Sequence, residues 1–117
     1  MFLVLLILDN PDKCYQVLDA WEEAGASGVT ILRSTGLGRV RTRVGLKDDM
    51  PLMPSLEEFF RHDEAQHRTL MSVIKERAVV DKVVKATQSV VGDLNQARTG
   101  VLVVLPVVEA YGMYGAE

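Results

Sequence analysis

The sequence predicts an α+β fold whose elements follow one another in the order β-α-β-β-α-β. Four short runs are rich in aliphatic and β-branched residues, as strands are. Two longer stretches place apolar residues three and four positions apart, as amphipathic helices do. Glycine, asparagine and proline separate most of these runs, which indicates turns between them.

The first half of the chain predicts a strand, a helix and a second strand. The apolar run Phe2–Leu8 is typical of a central strand covered on both faces, and it is too short to be a membrane span. Asn10 and Pro11 predict a helix N-cap followed by proline at the first helical position, and Gly25 ends this helix. The apolar side of the helix consists of Cys14, Val17, Leu18 and Trp21. The second strand is expected at residues 28–34.

The second half predicts a long connection, a strand, a helix and a last strand. The connection covers residues 37–66, and the third strand is expected at 67–75. The second helix ends at Gly92. Its apolar side consists of Val80, Val83, Val84, Thr87 and Val91. The fourth strand is expected at 101–108, where Pro106 indicates an edge strand or a bulge.

This order of elements is that of the ferredoxin-like fold. Its two helices cover one face of a four-stranded antiparallel sheet and leave the other face open. Because the first and last strands are apolar throughout, we expect a second copy of the chain to bury the open face. We predict one domain at residues 1–117, with a long loop at 36–66 that contains a short helix.

Composition excludes several classes of function. A net charge of −3 argues against nucleic-acid binding. The only cysteine, Cys14, lies on the apolar side of the first helix and is expected to be a packed thiol in a protein of the reducing cytoplasm. The sequence contains no P-loop, no paired CxxC and no HExxH motif, so we expect neither catalysis nor a metal site.

The segment that follows the second strand is a candidate binding loop. Gly36 and Gly38 allow backbone N–H groups to approach a ligand closely or to form a concave cradle for an anion. Arg39 adds a permanently charged, forked donor at the end of this loop. The alternative interpretation is an ordinary loop with two turn glycines.

The long loop carries two further groups of candidate contacts. Arg41 and Arg43 share one side of an extended segment with Arg39, where they face phosphate, an acidic partner surface or solvent. Later in the loop, Ser55 begins a short helix whose apolar face includes Phe59 and Phe60. These two phenylalanines serve local packing, subunit contact or the anchoring of a partner protein.

From end to end the sequence resembles the PII signalling family, whose members are trimeric ferredoxin-like sensors of nucleotides and small metabolites. Three segments carry the resemblance: Gly28-Val29-Thr30, then Gly36-Leu37-Gly38-Arg39 at the entry to the long loop, then TGVLVVLPVVEA at 99–110. The resemblance implies that a ligand lies between subunits, held by the first segment of one subunit and the second segment of its neighbour. It also implies ligand contacts from the short loop before the last strand, at Arg98, Thr99 and Gly100. The long loop would reach a protein target such as an enzyme or a transporter.

The departures from the family pattern limit how many phosphate groups the expected ligand carries. Gly100 stands where the family has a phosphate-binding lysine, and Tyr111 lies where the family has C-terminal arginines. The long loop contains no tyrosine for uridylylation. We therefore expect a ligand with less phosphate than ATP: a mono- or diphosphate or a cyclic nucleotide, for which an adenine nucleotide is one candidate, or a small carboxylate.

The predicted function is that of a nitrogen-regulatory type of signalling protein: a non-enzymatic homotrimer that binds a small anion and a protein target, without nucleic acid or membrane insertion. Two alternatives remain open. One is a dimeric α+β-barrel enzyme that uses His62 or His67 in a pocket, and the other is a CutA-like trimer that binds metal or is structural. His62 and His67 flank Asp63 and Glu64, which are suitable metal ligands, but their spacing matches no strong motif.

Overall fold

The computed structural model describes residues 1–35 and 66–113, and the elements follow the predicted order. The strands are β1 (Phe2–Leu8), β2 (Thr30–Thr35), β3 (Gln66–Ile74) and β4 (Gly100–Pro106). A 3₁₀ turn, Pro11–Lys13, leads into helix α1 (Cys14–Ala24), and helix α2 is Arg77–Val91.

The four strands form one sheet in the order β2-β3-β1-β4, with each neighbouring pair antiparallel. This is the ferredoxin-like arrangement, so the predicted fold is confirmed. The apolar run of β1 lies at the centre of the sheet, between β3 and β4. Pro106 is the last residue of the edge strand β4, and its missing N–H does not interrupt the ladder, because the next N–H, that of Val107, donates to the carbonyl of Met1 at 3.0 Å.

The predicted cap residues are in place, but the first turn after Asn10 is 3₁₀ and the α-helix itself begins at Cys14 rather than at Pro11. The Asn10 side chain accepts a hydrogen bond from the backbone N–H of Asp12 at 3.0 Å, and Pro11 is the first residue of the 3₁₀ turn. Gly25 ends α1 in the left-handed region with φ 113°, which suits glycine because it has no Cβ. The N–H of Gly92 closes α2 by donating to the carbonyl of Gln88 at 2.9 Å.

One face of the sheet packs against both helices. Its centre is fully buried and consists of Val4, Leu6, Leu8 and Leu70 from the sheet with Val17, Trp21, Val80 and Val83 from the helices. The helices are joined by a buried chain of hydrogen bonds. The indole Nε1 of Trp21 donates to Thr87 Oγ1 at 2.8 Å, and that hydroxyl donates to the carbonyl of Val83 at 2.7 Å. The indole N–H of Trp21, the hydroxyl of Thr87 and the carbonyl of Val83 therefore all have hydrogen-bond partners inside the core.

The opposite face of the sheet, which we call the open face, carries aliphatic side chains without a helix above them. Its exposed members are Ile7, Leu32, Val101, Val103 and Leu105, with exposed fractions of 37–57 %. Register places them together, because Ile7 pairs with Val101 and Leu3 pairs with Leu105. The predicted apolar open face is therefore present in the subunit.

The ends of three strands differ from the prediction: β3 is displaced by one residue, from 67–75 to Gln66–Ile74, and β2 and β4 differ by up to two residues. β2 begins at Thr30 rather than at Gly28, because pairing with β3 starts at Thr30 and Met71. Before that point the hydroxyl of Ser72 donates a hydrogen bond to the backbone carbonyl of Gly28 at 2.6 Å. β4 begins at Gly100 and ends at Pro106 rather than running from 101 to 108. These limits are set by its partner β1, in which Leu8 pairs with Gly100 and Phe2 pairs with Pro106.

Cys14 lies on the core side of α1 and is 7 % exposed, which confirms the predicted packed thiol. Burial raises the pKa of the Cys14 thiol, and the nearby positive charge of Arg68 lowers it by less. The thiol is therefore mostly protonated at neutral pH and is a poor nucleophile.

Candidate functional site

The first predicted ligand segment lies where the chain enters β2. Thr30 is exposed and pairs with Met71, which in turn pairs with Leu5 of β1. Because paired residues project from the same side of a sheet, Thr30 belongs to the open face. A ligand or neighbouring subunit on that face can therefore reach it.

Gly28 has no structural need to be glycine within its own subunit. A Cβ built on it meets no atom within 4 Å, and its φ lies outside the left-handed region. Glycine at such a position leaves room for another molecule to approach the backbone closely. Val29, between these two residues, is half-buried against the core.

The structure also describes the short loop before β4, which contains the predicted contacts Arg98, Thr99 and Gly100. Asp93 Oδ1 accepts from the N–H of Asn95 at 2.9 Å, and the hydroxyl of Thr99 donates to the carbonyl of Gln96 at 3.0 Å. These bonds hold the loop in a compact turn. Within residues 1–35 and 66–113, Arg98 is the one non-glycine residue with positive φ, at 67°.

Gly100, at the end of this loop, cannot carry a side chain in its present conformation. Its φ is 138°, and a Cβ added to it would lie 2.5 Å from the backbone oxygen of Ile7. Both the backbone conformation and the close approach of β1 therefore demand glycine.

The two segments lie far apart within one subunit. Thr30 aligns with Val103 of β4 through Met71 and Leu5, and Gly100 is three residues further along that strand. Three strand spacings and three residues of strand separate Thr30 from Gly100 by roughly 17 Å along the sheet. Within one subunit, Thr30 and Gly100 therefore do not line the same pocket.

The remaining predicted contacts fall outside the described residues. They are Gly36, Leu37, Gly38, Arg39, Arg41, Arg43, Phe59, Phe60 and His62, together with the short helix from Ser55.

His67, which the alternative enzyme and metal hypotheses invoked, lies at the start of β3 and is 7 % exposed. Its Nε2 is 3.5 Å from Asp9 Oδ1, just beyond the end of β1. Among the residues that the structure describes, no group of three or more His, Cys, Asp and Glu side chains is arranged to hold a metal. His67 thus lies beside the Asp9 carboxylate at the start of β3.

Neither helix in the described ranges is long and apolar enough to cross a bilayer. A family model described as nitrogen regulatory protein P-II matches residues 1–116. The chain belongs to the P-II family. A search of curated proteins finds no matching relative. The predicted family is therefore confirmed, and its members are regulators rather than enzymes.

Membership of the P-II family makes the conformation of Gly100 informative. The resemblance placed the family's phosphate-binding lysine at this position, and here the backbone excludes any side chain. The positive charge nearest in sequence is Arg98, whose side chain is exposed. Among the described residues, the short loop before β4 therefore carries its positive charge at Arg98 and not at Gly100.

Lys13 is a residue that the sequence reasoning missed. It lines a small cavity together with Arg98, although 84 residues separate the two along the chain. A single lysine between a cap and a helix looks like an ordinary surface residue. Only the tertiary fold, which brings the start of α1 beside the short loop, shows that both residues line one cavity.

Proposed function

We propose that this P-II family protein is a homotrimeric cytoplasmic regulator. It binds a small anionic ligand in clefts between subunits and acts on a protein target through residues 36–66. The observation that carries the proposal is the open face: an aliphatic sheet surface that continues to Thr30, the described end of the first predicted ligand segment. The free, buried Cys14 suits a reducing compartment.

The aliphatic character of the open face supports assembly. Contiguous exposed side chains of this type mark surfaces that another protein covers. On β4, Leu102 and Val104 pack against the core of the subunit, whereas Val101 and Val103 are exposed on the open face. Burial of such a surface gains roughly 25 cal/mol for each Å² of apolar area, which favours association of identical faces.

The separation of the ligand segments supports a site shared between subunits. Gly36 follows directly after Thr35, so it is joined to the end of β2 opposite Thr30. These two ends of β2 lie about 17 Å apart. A compact ligand that touches both segments is therefore better accommodated when each segment comes from a different subunit.

The chemistry of the short loop supports a ligand that carries less phosphate than ATP. Gly100 supplies no charge, and Tyr111 is an exposed residue whose hydroxyl donates to Glu109 Oε2 at 2.9 Å. A triphosphate needs several compensating cations, which these positions do not provide. We therefore expect ADP, AMP, a cyclic nucleotide or a small carboxylate to bind more tightly than ATP.

Calorimetric titration tests this proposal with ATP, ADP, AMP, cyclic AMP and 2-oxoglutarate. Arg39→Ala should weaken binding of the preferred ligand about ten- to a hundredfold, because it removes a charge-assisted hydrogen bond. Arg43→Ala is the matched control and should have a smaller effect. Tight ATP binding that survives Arg39→Ala would show that both the site and the ligand class are wrong.

A further inference from the structure

The two helices carry opposite charges on their exposed sides. Helix α1 contains three carboxylates, Asp19, Glu22 and Glu23, all of them exposed, and it contains no lysine or arginine. Helix α2 contains three cations and one carboxylate, and its Lys82 and Lys85 are exposed. The helix layer therefore has an acidic half and a basic half.

A shallow groove of about 360 Å³ runs between the two helices on their solvent side, and we call it the helix groove. Glu23 lines it from α1, and Lys82 and Lys85 line it from α2. The half-buried Ala20 and Ala86 also line it. The helix groove therefore has one acidic wall and one basic wall.

The charges beside the helix groove repel their own neighbours. Asp19 and Glu23 are four residues apart, and Lys82 and Lys85 are three residues apart, so each pair shares one side of its helix. Like charges at these spacings destabilise a helix. Among the described residues, none of these four side chains takes part in an ion pair within its subunit. Charges of opposite sign from another molecule would relieve both repulsions.

The arrangement of charge selects an occupant that carries both signs. A uniformly acidic partner would be attracted by the basic wall and repelled by Glu23, and a uniformly basic partner would meet the reverse. A second copy of this chain carries both signs in the required order. A two-fold axis that runs along the helix groove places α1 of each copy on α2 of the other.

The same axis keeps opposite charges level with one another. A rotation about the direction of the groove does not shift any residue along that direction. Glu23, Lys82 and Lys85 line one cavity within their own subunit, so they lie at about the same level along the groove. Glu23 of each copy therefore lies level with Lys82 and Lys85 of the other, and the axis makes every contact twice.

We infer that the helix groove is a self-association surface, on which a second copy of the chain docks with its α1 against α2. This surface lies on the opposite side of the subunit from the open face. It is therefore independent of the function proposed above, and it joins assemblies that the open face has formed. Surface ion pairs are individually weak and are screened by salt, so the contact is reversible and salt-dependent.

Sedimentation velocity of the full chain over a range of concentrations tests for this contact. At about 0.05 M salt the mean mass should rise with protein concentration. At about 1 M salt, where the Debye length falls to about 3 Å, the mass should return to that of the basic assembly. Burial of the aliphatic open face involves no charges to screen, so the mass that persists at high salt reports that face instead. The two interfaces are therefore distinguished in one experiment.

Charge reversal of one wall tests the docking geometry. Lys82→Glu with Lys85→Glu makes both walls acidic and should weaken self-association about tenfold or more, because the two-fold axis repeats every lost contact. Asp19→Lys with Glu23→Lys makes both walls basic and should have the same effect for the same reason.

The matched control is Arg33→Glu with Lys75→Glu. It changes the net charge by the same amount as the acidic-walled variant, at exposed positions that do not line the helix groove. The control should retain self-association within about threefold of wild type. In mixtures, the basic-walled protein should bind the acidic-walled protein at least as tightly as wild type binds itself. It should not bind the control in this way, although the control and the acidic-walled protein have equal net charge.

Three results would overturn the docking: a wild-type mass that is independent of concentration at low salt, equal weakening in the control, or equal binding of the basic-walled protein to the control and to the acidic-walled protein. The last two would mean that only net charge matters. If a charge-reversed variant does not fold, Lys82→Gln with Lys85→Gln removes the attraction without adding repulsion. Unchanged self-association of that folded protein would equally contradict the docking.

Discussion

The two faces of the sheet are made of similar aliphatic residues but have different surroundings. In β1, Val4, Leu6 and Leu8 are fully buried beneath the helices, whereas Ile7 is 37 % exposed on the open face. One strand therefore contributes apolar side chains to both faces. The helix-covered face is sufficient to fold the subunit, and the open face remains available for contacts that the subunit cannot make alone.

The difference also separates structural from functional residues. Trp21 and Thr87 lie in the helix layer, where the indole N–H of Trp21 and the hydroxyl of Thr87 are both hydrogen-bonded. Thr30 lies on the open face, and Gly28 precedes it with no atom of its own chain near its Cβ position. The following variants test this division, beginning with the largest expected effect.

Leu6→Ala should destabilise the subunit by about 2–5 kcal/mol, because it removes a fully buried side chain and leaves a cavity. The measurement is urea unfolding at several protein concentrations. Val103→Ala, on the open face, is the matched control. If an assembly buries that face, the loss of unfolding free energy caused by Val103→Ala should change with protein concentration. The loss caused by Leu6→Ala within the subunit should not. Concentration-independent, equal losses in both variants would abolish the distinction between the faces.

Gly100→Ala should lower the free energy of unfolding by about 1–3 kcal/mol, because alanine is strained at this positive φ. The loss should be larger still because the added Cβ collides with the backbone oxygen of Ile7. Gly112→Ala is the control for φ alone, because Gly112 has φ 85° and no atom within 4 Å of a built Cβ. Thermal unfolding compares the two variants. A Gly100→Ala protein as stable as Gly112→Ala would show that the contact with β1 does not restrict this position.

Thr87→Val should cost about 1–3 kcal/mol, because it keeps the side-chain shape and leaves the buried Nε1–H of Trp21 without an acceptor. The control is Ser89→Ala, which removes an exposed hydroxyl bonded to the carbonyl of Ala86 in the same helix. Chemical denaturation of both variants is the measurement. A neutral Thr87→Val substitution would mean that the hydrogen bond between the helices contributes nothing to stability.

Cys14 should give the smallest effect, and only in alkaline solution. Its folded-state pKa is raised above the usual thiol value of 9.0 by burial, so the folded state retains the thiol proton more firmly than the unfolded state does. The resulting stability is complete below pH 9.0 and is lost as the pH rises through the higher, folded-state pKa. Wild type should therefore lose stability relative to Cys14→Ala above pH 9.0, and parallel pH profiles of the two proteins would contradict this.

Most of the fold was predictable because its signals are local. Asn10, Pro11, Gly25 and Gly92 mark helix ends through their own backbone preferences, and the period of the apolar residues identifies each element. The exact start of β2 was not predictable, because it depends on where Met71 offers a partner. A strand ends where pairing ends, which is a property of two segments rather than one.

Less of the candidate site was predictable. The sequence identified Arg98 and Gly100 through a family resemblance, but the φ of Arg98 and the approach of Ile7 to Gly100 arise only in the folded chain. The sequence gave no sign that Lys13 lines a cavity with Arg98, since this depends on packing between distant segments. The glycine loop at Gly36 and Gly38 lies outside the described residues, so its role stays a prediction.

The most direct test of a ligand site between subunits is a mixing experiment with Gly28→Val and Arg39→Ala proteins. Each variant alone should lose binding of the ligand that titration identifies as preferred. After the two are unfolded together and refolded as mixed assemblies, about one cleft in four should combine two intact halves and regain wild-type affinity. Mixed assemblies that bind no more ligand than the separate variants would contradict a site shared between subunits.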